Sequence, residues 1–405
     1  ELPEGGAEYL NSEKIVSSIQ ALLTKAGDIG EILLGYISSY GGQVVSSLTD
    51  LIMALFISFF PQIVQGPIGR FGTLAEQLFR PNEFSYTRIK FGVQLMLWGA
   101  FKKMVIADRA AILVDTAFGA PDAYGGTYVA VAALVYAIQI YGDFSGYSDI
   151  AIGTAKLFGI KLMRNFNVPY FSRDIAEFWR RWHISLTTWF RDYVYIPLGG
   201  SRPALPARLE VKGERLKARY TKWIAVRNTF IIFLLSGFWH GANWTFVLWG
   251  AYHALLFVPL LLMNKNRRYR DTVATITLPD GTIKTKWLPS LKEVGQMLLT
   301  FAMAVFGWII FRAETIGQFG DVVLTICSDS LLSVPWLMTR DFYVPLAISI
   351  GVLILIEWIN RTKSHGFVVG IQYKWLRIVL YYALVVAVLF MILFKEPKNI
   401  EEKIA

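Results

Sequence analysis

The sequence predicts an all-α polytopic membrane protein. Hydrophobic residues make up 54% of the 405-residue chain and charged residues only 17%, whereas soluble domains carry about 25% charged residues. The 13 tryptophans and 19 tyrosines fit two belts of aromatic rings at the membrane interfaces. Five apolar runs approach the roughly 20 residues that a helix needs to cross a bilayer, and they lie at about 224–240, 243–263, 294–311, 343–359 and 374–394.

The N-terminal part of the chain lacks such a run. We expect residues 1–48 to form an atypical segment without a transmembrane helix, followed by one membrane domain over 49–396 and a polar tail over 397–405. The apolar run that opens the domain is interrupted by Pro61 and Pro67. Proline removes a backbone donor and kinks a helix, which at membrane depth is tolerated only inside protein or beside a wet cavity. The run therefore predicts a bent or re-entrant element.

Three further stretches have distinct patterns. The apolar residues 91–114 include several charges, so we expect them to lie at the membrane interface. Residues 127–160 predict two helical pieces hinged near Gly142–Gly146. The alternating run "TVATITLPDGTIKTKW" around Asp280-Gly281 predicts a small extramembrane β-hairpin.

The basic residues lie between the apolar runs. The formal net charge of +10 comes largely from loops at 201–222 and 264–292, which the positive-inside rule places in the cytoplasm. This distribution does not form the basic face of a soluble fold, so we expect the lipid bilayer, and no nucleic acid, as a partner. Cys327, the one cysteine, excludes an internal disulfide and a cysteine-based metal cluster, and a buried position is expected for it.

The segment at 172–202 is too charged to cross lipid alone and too aromatic for an ordinary loop. Asp174 can cap a helix that Pro197 and the following glycines end, which predicts one helix over 174–198. This helix either lies at the interface or packs in the bundle with its polar stripes lining a cavity. Helical spacing would give three stripes on it: Phe178, Trp182, Trp189 and Tyr193; Arg180, His183, Thr187 and Arg191; and Glu177, Arg181, Thr188 and Asp192.

The four histidines have different surroundings. His365 lies in a short basic connection, where we expect a solvated side chain, and His253 lies within an apolar run, where a hydrogen-bonded structural role is expected. His240 lies in "LLSGFWHGANW", with Asn243 within reach at helical spacing. A polar residue this deep predicts a functional site. Hydrogen bonding between two helices is the structural alternative.

Motif search narrows the chemistry that these residues can support. The chain has no HExxH zinc motif, no GxSxG elbow and no Walker loop, so we expect no metal. Burial keeps an imidazole neutral, and a neutral imidazole can take a proton from a hydroxyl that attacks an acyl carbonyl. His240 is the candidate base, and His183 is the candidate second polar group, which orients substrate or polarises the carbonyl.

Four stretches resemble the membrane-bound O-acyltransferase family, and within it the bacterial branch for alginate O-acetylation. They are "FFPQIVQGPIGRF" (59–71), "YGDFSGYSDIAIGTAKLFGIKLMRNFNVPY" (141–170), "EFWRRWHISLTTWFRDYVYIPLGG" (177–200) and "FLLSGFWHGANWTFVLWGAYH" (233–253). The resemblance implies a helical bundle with broken or re-entrant helices around a central cavity. It also implies that His183 and His240 are the family's characteristic histidines, with His240 catalytic.

The resemblance further implies a reaction and its partners. An acyl group, acetyl by analogy, would pass from acetyl-CoA or a related thioester across the bacterial inner membrane to an SGNH-type acetyltransferase and the machinery of polysaccharide modification. No tightly bound cofactor is expected. Trp182, Arg181, Asp192 and Asn243 are the predicted substrate-binding residues, although an ion-pair network that holds the helix would explain the charged pair equally well. D-alanyl transfer to teichoic acid and a non-enzymatic transporter or flippase remain the alternatives.

Overall fold

The computed structural model describes residues 66–200, 214–277, 283–333, 340–363 and 373–393, together with Ser17. Apart from Ser17, they belong to one compact unit that begins at Phe60. Several expectations lie outside the described residues: those for 1–48, for the proline-interrupted run up to residue 65, for His365 and for the tail at 397–405. The domain limits of 49–396 stay a prediction.

The described part of the chain is mainly helical, as predicted. In chain order its α-helices are α1 (Phe71–Phe79), α2 (Tyr86–Ala100), α3 (Asp108–Gly119), α4 (Gly126–Leu157), α5 (Ile175–Arg181), α6 (Ile184–Phe190), α7 (Glu214–Trp239), α8 (Trp244–Leu262), α9 (Leu291–Arg312), α10 (Ile316–Ile326), α11 (Arg340–Asn360) and α12 (Lys374–Leu393). A π-helical segment, Phe101–Ala107, joins α2 to α3, and a second one, Arg191–Tyr195, follows α6.

Four of the described helices are long and apolar enough to cross a membrane. They are α4, α8, α9 and the part of α11 from Phe342 to Asn360, and a shorter apolar helix covers Arg377–Leu393. Large apolar side chains on these helices face outward, such as Leu255, Leu298 and Ile348. An outward apolar face is stable only against lipid, and the chain is therefore a multi-pass membrane protein.

Helix α4 is continuous over 32 residues, so the predicted hinge at Gly142–Gly146 was wrong. Its glycines serve helix packing instead. Gly146 and Gly153 each face the backbone of α2, at Gly99 and Gly92 respectively, with no room for a side chain between the two helices. Glycines spaced seven residues apart on both helices thus allow the two backbones to touch, as small residues do in membrane helix pairs.

Ion pairs join α4 to the segment that follows α2. The π-helical segment presents Lys102 and Lys103 to α4, where Lys102 pairs with Asp149 at 2.6 Å and Lys103 pairs with Asp143. Residues 91–114, expected at the interface, therefore pack against α4. The two aspartates of α4 thus neutralise two lysines of that segment.

The β-hairpin is confirmed. Strands β1 (Thr275–Thr277) and β2 (Ile283–Thr285) pair antiparallel, with Ile276 opposite Lys284. Cys327, expected to be buried, is exposed at the end of α10.

Replacing Gly99 by alanine should destabilise the fold. The new Cβ would lie inside van der Waals contact of the Gly146 carbonyl oxygen, and overpacking of this kind costs about 1–3 kcal/mol. We expect the unfolding temperature in detergent, followed by tryptophan fluorescence, to fall by several degrees.

Gly295→Ala is the matched control for this measurement. Gly295 also lies within a helix, but a Cβ there would meet open space, and alanine favours helix over glycine by about 1 kcal/mol. Equal unfolding temperatures for Gly99→Ala and the parent chain would show that α2 and α4 are not in close contact.

Candidate active site

The segment predicted as one helix over 174–198 is broken at Trp182 and His183. Its start is as predicted, because the Asp174 carboxylate accepts a hydrogen bond from the N–H of Glu177 at 2.6 Å. The helix α5 then ends, and His183 has a φ of 45°, in the left-handed region that residues with a side chain rarely adopt. The three stripes drawn along a single helix therefore do not exist.

A distant segment holds the chain on both sides of this break. The N–H of Ile184 donates to the carbonyl of Asn165 at 2.8 Å, and the N–H of Asn167 donates to the carbonyl of Arg181 at 2.9 Å. A left-handed conformation costs roughly 1–2 kcal/mol for such a residue. We call these two backbone hydrogen bonds the bracket; they keep His183 in the conformation that directs its side chain away from the α5 axis.

The His183 side chain is buried among polar and aromatic neighbours. Its Nδ1 lies 3.0 Å from Asn165 Oδ1, and its ring packs against the edge of Phe144, with centroids 4.6 Å apart, and near Trp239. Sequence reasoning missed Asn165, which lies inside the family-like stretch at 141–170 but is 18 residues from His183. No local periodicity connects two residues at that separation.

His240 lies in the short connection between α7 and α8. Gly241 follows it with a φ of 149°, a conformation that is open to glycine and strained for other residues. The ring is enclosed by aromatic side chains, with centroid distances of 5.0 Å to Trp239, 5.4 Å to Trp249 and 4.9 Å to Phe311. Since these neighbours are apolar, they hold the ring in place without selecting which nitrogen carries the proton.

Asn243 does not lie beside His240 on a helix. The chain leaves α7 at Trp239, and Asn243 caps α8, where its Oδ1 accepts from the N–H of Thr245 and its Nδ2 donates to the carbonyl of Glu314 at 2.7 Å. The helical spacing behind its predicted position is absent. Its part in substrate binding stays a prediction.

One cavity of about 1080 Å³ contains both histidines in its wall. Trp182, predicted to bind substrate, also lines it, as do Trp249 and Trp308. Of the 31 described residues in the lining, 11 are Phe, Trp or Tyr. The break after α5 contributes His183, and the turn before α8 contributes His240. The tertiary structure therefore brings His183 and His240 into the wall of the same cavity.

The opening of this cavity is basic. Arg180, Arg267 and Arg270 line it, and all three are exposed to solvent. Arg180 donates to the carbonyls of Asn266 and Tyr269, both at 2.6 Å, which ties α5 to the segment after α8. This segment belongs to the loop that the positive-inside rule places in the cytoplasm.

Two predicted substrate-binding residues form ion pairs outside the cavity lining. Arg181 pairs with Glu177 at 2.7 Å, and Asp192 pairs with Arg70 at 2.6 Å and with Arg191 at 2.7 Å. These contacts fit the alternative in which Arg181 and Asp192 belong to an ion-pair network that holds the helix. Direct substrate contact by either residue stays a prediction.

His253, expected to be hydrogen-bonded, is fully buried without a bond to either ring nitrogen among the described residues. It packs instead between Trp179 and Trp249, with centroids 4.9 and 5.0 Å away, behind the cavity wall. Aromatic packing has replaced the polar contact that the sequence led us to expect.

Burial sets the charge state of the two cavity histidines, which both lie between helices. Burial lowers the pKa of His240, and burial together with the nearby His240 lowers the pKa of His183. Both rings are therefore neutral at physiological pH. In the part of the chain that the structure describes, no three His, Cys, Asp or Glu side chains are grouped to hold a metal ion. The arrangement supports proton transfer and hydrogen bonding to a bound substrate.

Comparison with known proteins agrees with this geometry. The model of the MBOAT family, the membrane-bound O-acyltransferases, matches residues 44–211 and 219–281. The probable alginate O-acetylase AlgI of Pseudomonas aeruginosa is 37% identical over 336 residues, which are 82% of this chain and 52% of that protein. The peptidoglycan O-acetyltransferase of Helicobacter pylori is 37% identical over 266 residues, 65% of this chain and 44% of that protein.

A less similar relative is named for the transfer of a different acyl group, D-alanyl. The teichoic acid D-alanyltransferase of Bacillus subtilis is 28% identical over 303 residues, which are 69% of this chain and 68% of that protein. The chain spans about half the length of the O-acetylase relatives that it matches.

A buried carboxylate holds the cavity wall in place. Glu177 is 1% exposed and lies between Arg173, at 3.1 Å, and Arg181. Arg173 also donates to the carbonyl of Asp271 at 2.6 Å. One carboxylate thus links α5 to the loop that forms the cavity opening.

Glu177→Gln should destabilise the protein, because it removes the counter-ion of the buried Arg181 and one of the carboxylates paired with Arg173, which keeps Glu293 at 3.3 Å. Removing one partner of a buried pair costs about 3–5 kcal/mol. The unfolding temperature should therefore fall by many degrees, whereas Glu83→Gln, at an exposed site, should leave it unchanged. Equal stability of the two variants would contradict a structural role for the Glu177 pairs.

Proposed function

This chain belongs to the membrane-bound O-acyltransferase family, and on that premise we propose that it transfers an acetyl group from a thioester to a hydroxyl, with His240 as general base. The proposal places it in the bacterial inner membrane. The single observation that carries it is the joint position of His183 and His240 in the wall of one cavity.

The proposed reaction uses the neutral state of His240. As the hydroxyl oxygen attacks the acyl carbonyl carbon, His240 takes the hydroxyl proton, and a C–O bond forms. The C–S bond then breaks, and the imidazolium gives the same proton to the leaving thiolate. No atom or electron beyond donor and acceptor is required. The aromatic residues of the lining suit this chemistry, because exclusion of water around the acyl group would protect the thioester from hydrolysis.

The basic opening supports the choice of donor. Three positively charged side chains lie where the cavity meets the predicted cytoplasmic side: Arg180, Arg267 and Arg270. Guanidinium groups pair well with phosphate, and acyl thioesters of coenzyme A or phosphopantetheine carry phosphate at the end opposite the acyl group. The donor would therefore bind with its phosphates at the opening and its acyl group near the histidines.

The names of the relatives support the choice of acceptor. Two of them are O-acetylases of alginate and of peptidoglycan, both of which are polysaccharides outside the inner membrane. We propose that the acetyl group leaves this chain toward such a polysaccharide, through a partner of the SGNH-hydrolase type.

D-alanyl transfer is a second candidate, which the relative from Bacillus subtilis favours. Both reactions move an acyl group from a thioester to a hydroxyl, so the two histidines would serve either one. A donor panel with acetyl, propionyl and D-alanyl thioesters distinguishes the candidates.

His240→Ala should abolish acyl transfer without unfolding the protein. Loss of a general base lowers a rate by about 10²–10⁴-fold. The measurement is transfer of radiolabel from acetyl-CoA, or from an acetylated phosphopantetheine carrier, to alginate and peptidoglycan oligosaccharides in proteoliposomes.

The controls for this measurement are Gly295→Ala, which should transfer at the parent rate, and the unfolding temperature of each variant. Equal rates for His240→Ala and the parent chain would refute the proposed base. Label transfer from the D-alanyl thioester alone would replace acetyl by D-alanyl.

Arg270→Glu should weaken donor binding and leave the chemical step unchanged. Reversing one charge at the opening removes a phosphate contact and adds a repulsion, so we expect KM for acetyl-CoA to rise about tenfold or more with little change in kcat. Arg268→Glu is the matched control, because Arg268 lies over the ring of Tyr269, outside the cavity lining. A similar KM in both variants would place the donor phosphates elsewhere.

A further inference from the structure

The two cavity histidines differ in their hydrogen bonds. His183 contacts the side chain of Asn165 through Nδ1, whereas His240 is enclosed by aromatic rings. Asn165 is fully buried, and its Nδ2 donates to Ser148 at 3.2 Å. The hydrogen bond between Asn165 and His183 can therefore show which ring nitrogen of His183 carries the proton.

The backbone identifies the atom of Asn165 that faces His183. Asn165 Oδ1 lies 3.2 Å from the backbone nitrogen of Ser185, and a backbone N–H can only donate. The amide atom at this position must be an oxygen, since an NH₂ group there would oppose another donor. The Ser185 hydroxyl also donates to this oxygen, at 2.9 Å.

An oxygen at that position determines the tautomer of His183. A carbonyl oxygen accepts and never donates, so Nδ1 of His183 must carry its proton to make the 3.0 Å contact. In the neutral ring the other nitrogen, Nε2, then holds a lone pair. His183 lines the cavity, and in the part of the chain that the structure describes no side chain or backbone group donates to this Nε2.

We propose that Asn165 is a positioning residue that fixes His183 as the Nδ1–H tautomer, so that Nε2 accepts a hydrogen bond from an O–H or N–H group of the bound substrate. His183 in this state cannot polarise the acyl carbonyl, because that would need a donor. The tautomer follows from the structure alone, and the substrate contact rests on the proposed acyl transfer.

The bracket makes the assignment robust. The same residue, Asn165, accepts the N–H of Ile184 through its backbone and the N–H of Ser185 through its side chain. Both contacts require His183 in its left-handed conformation. His240 has no such constraint, because among the described residues no group is hydrogen-bonded to its ring. A ring with both nitrogens available suits a group that first takes a proton and then returns it.

The first test reads the tautomer directly and does not depend on activity. Solid-state ¹⁵N NMR of the ¹⁵N-histidine-labelled chain in lipid distinguishes a protonated from an unprotonated nitrogen at each ring position. Loss of signals in His183→Gln assigns those of His183. We expect protonated Nδ1 and unprotonated Nε2 at pH 7.5, and a protonated Nε2 would overturn the proposal.

The second test uses Asn165→Asp and the pH dependence of transfer. A carboxylate beside the ring stabilises the imidazolium, by about 1–3 pKa units for a close opposite charge, and an imidazolium has no lone pair to offer. We expect the acid limb of the rate profile to move to higher pH, because a rise of about 1–3 units from about 3 puts the pKa of His183 at about 4–6 in Asn165→Asp. At the upper end of this range the variant is about tenfold slower at pH 5 than at pH 8. The parent chain should lose much less, since burial lowers the pKa of His183.

Other charges around the cavity must not produce the same shift. Besides His183, the titratable or charged side chains that line it among the described residues are His240, Asp143, Arg180, Arg191, Tyr195, Arg267 and Arg270, and all are unchanged in the variant. Asn167→Asp is the matched control, because it adds a carboxylate to the same segment and leaves the backbone bracket intact. Its acid limb should stay at the parent position.

The outcomes separate this proposal from the proposed function. A rate lowered by the same factor at every pH in Asn165→Asp would show that Asn165 only packs against His183, and so refute the positioning role. If the parent chain transfers no label at any pH, the proposed function fails, while the NMR result still decides the tautomer. If Asn165→Asp does not fold, the spectrum of Asn165→Ala decides, since His183 should there lose its preference for protonated Nδ1.

Discussion

The bracket between residues 165–167 and the break after α5 is the constraint on which the site depends. Two backbone hydrogen bonds, from Ile184 to Asn165 and from Asn167 to Arg181, hold a left-handed residue between two short helices. Without them the chain could continue as one helix and relieve about 1–2 kcal/mol of strain. The break turns His183 into the cavity, and the same segment supplies the oxygen that selects its tautomer. The same segment, residues 165–167, thus sets both the backbone conformation of His183 and the tautomer of its ring.

Ion pairs and aromatic contacts stabilise different parts of the site around this break. The buried Glu177 and its arginines tie α5 to the loop at the cavity opening, where water and counter-ions are at hand. Deeper in, Trp249 packs against both His240 and His253, and the surroundings are apolar. An apolar wall favours a neutral imidazole, while a basic opening favours an anionic group. This gradient suits the proposed donor, which would be anionic at one end and acyl at the other.

The membrane-spanning helices were predictable because a bilayer imposes a simple rule on sequence. Runs of about 20 apolar residues must become helices, and α8, α9 and α11 match the predicted runs to within a few residues. The hinge predicted at Gly142–Gly146 failed for a physical reason. A glycine can allow the backbone to bend, or it can leave room for a neighbouring helix. Only the position of α2 shows that the glycines of α4 serve close contact between helices.

The sequence by itself determined the fold class and the hairpin and made His183 and His240 the candidates for the site, because hydropathy, turn residues and motif spacing are local properties. Tertiary structure alone decided that His183 breaks its helix and that Asn165 is its partner. It also moved Asn243 to a helix cap and Arg181 into an ion pair. Helical spacing assumes that the helix continues, and the hydrogen bonds that end it come from residues far along the chain. Long-range contacts therefore decided the geometry of the site.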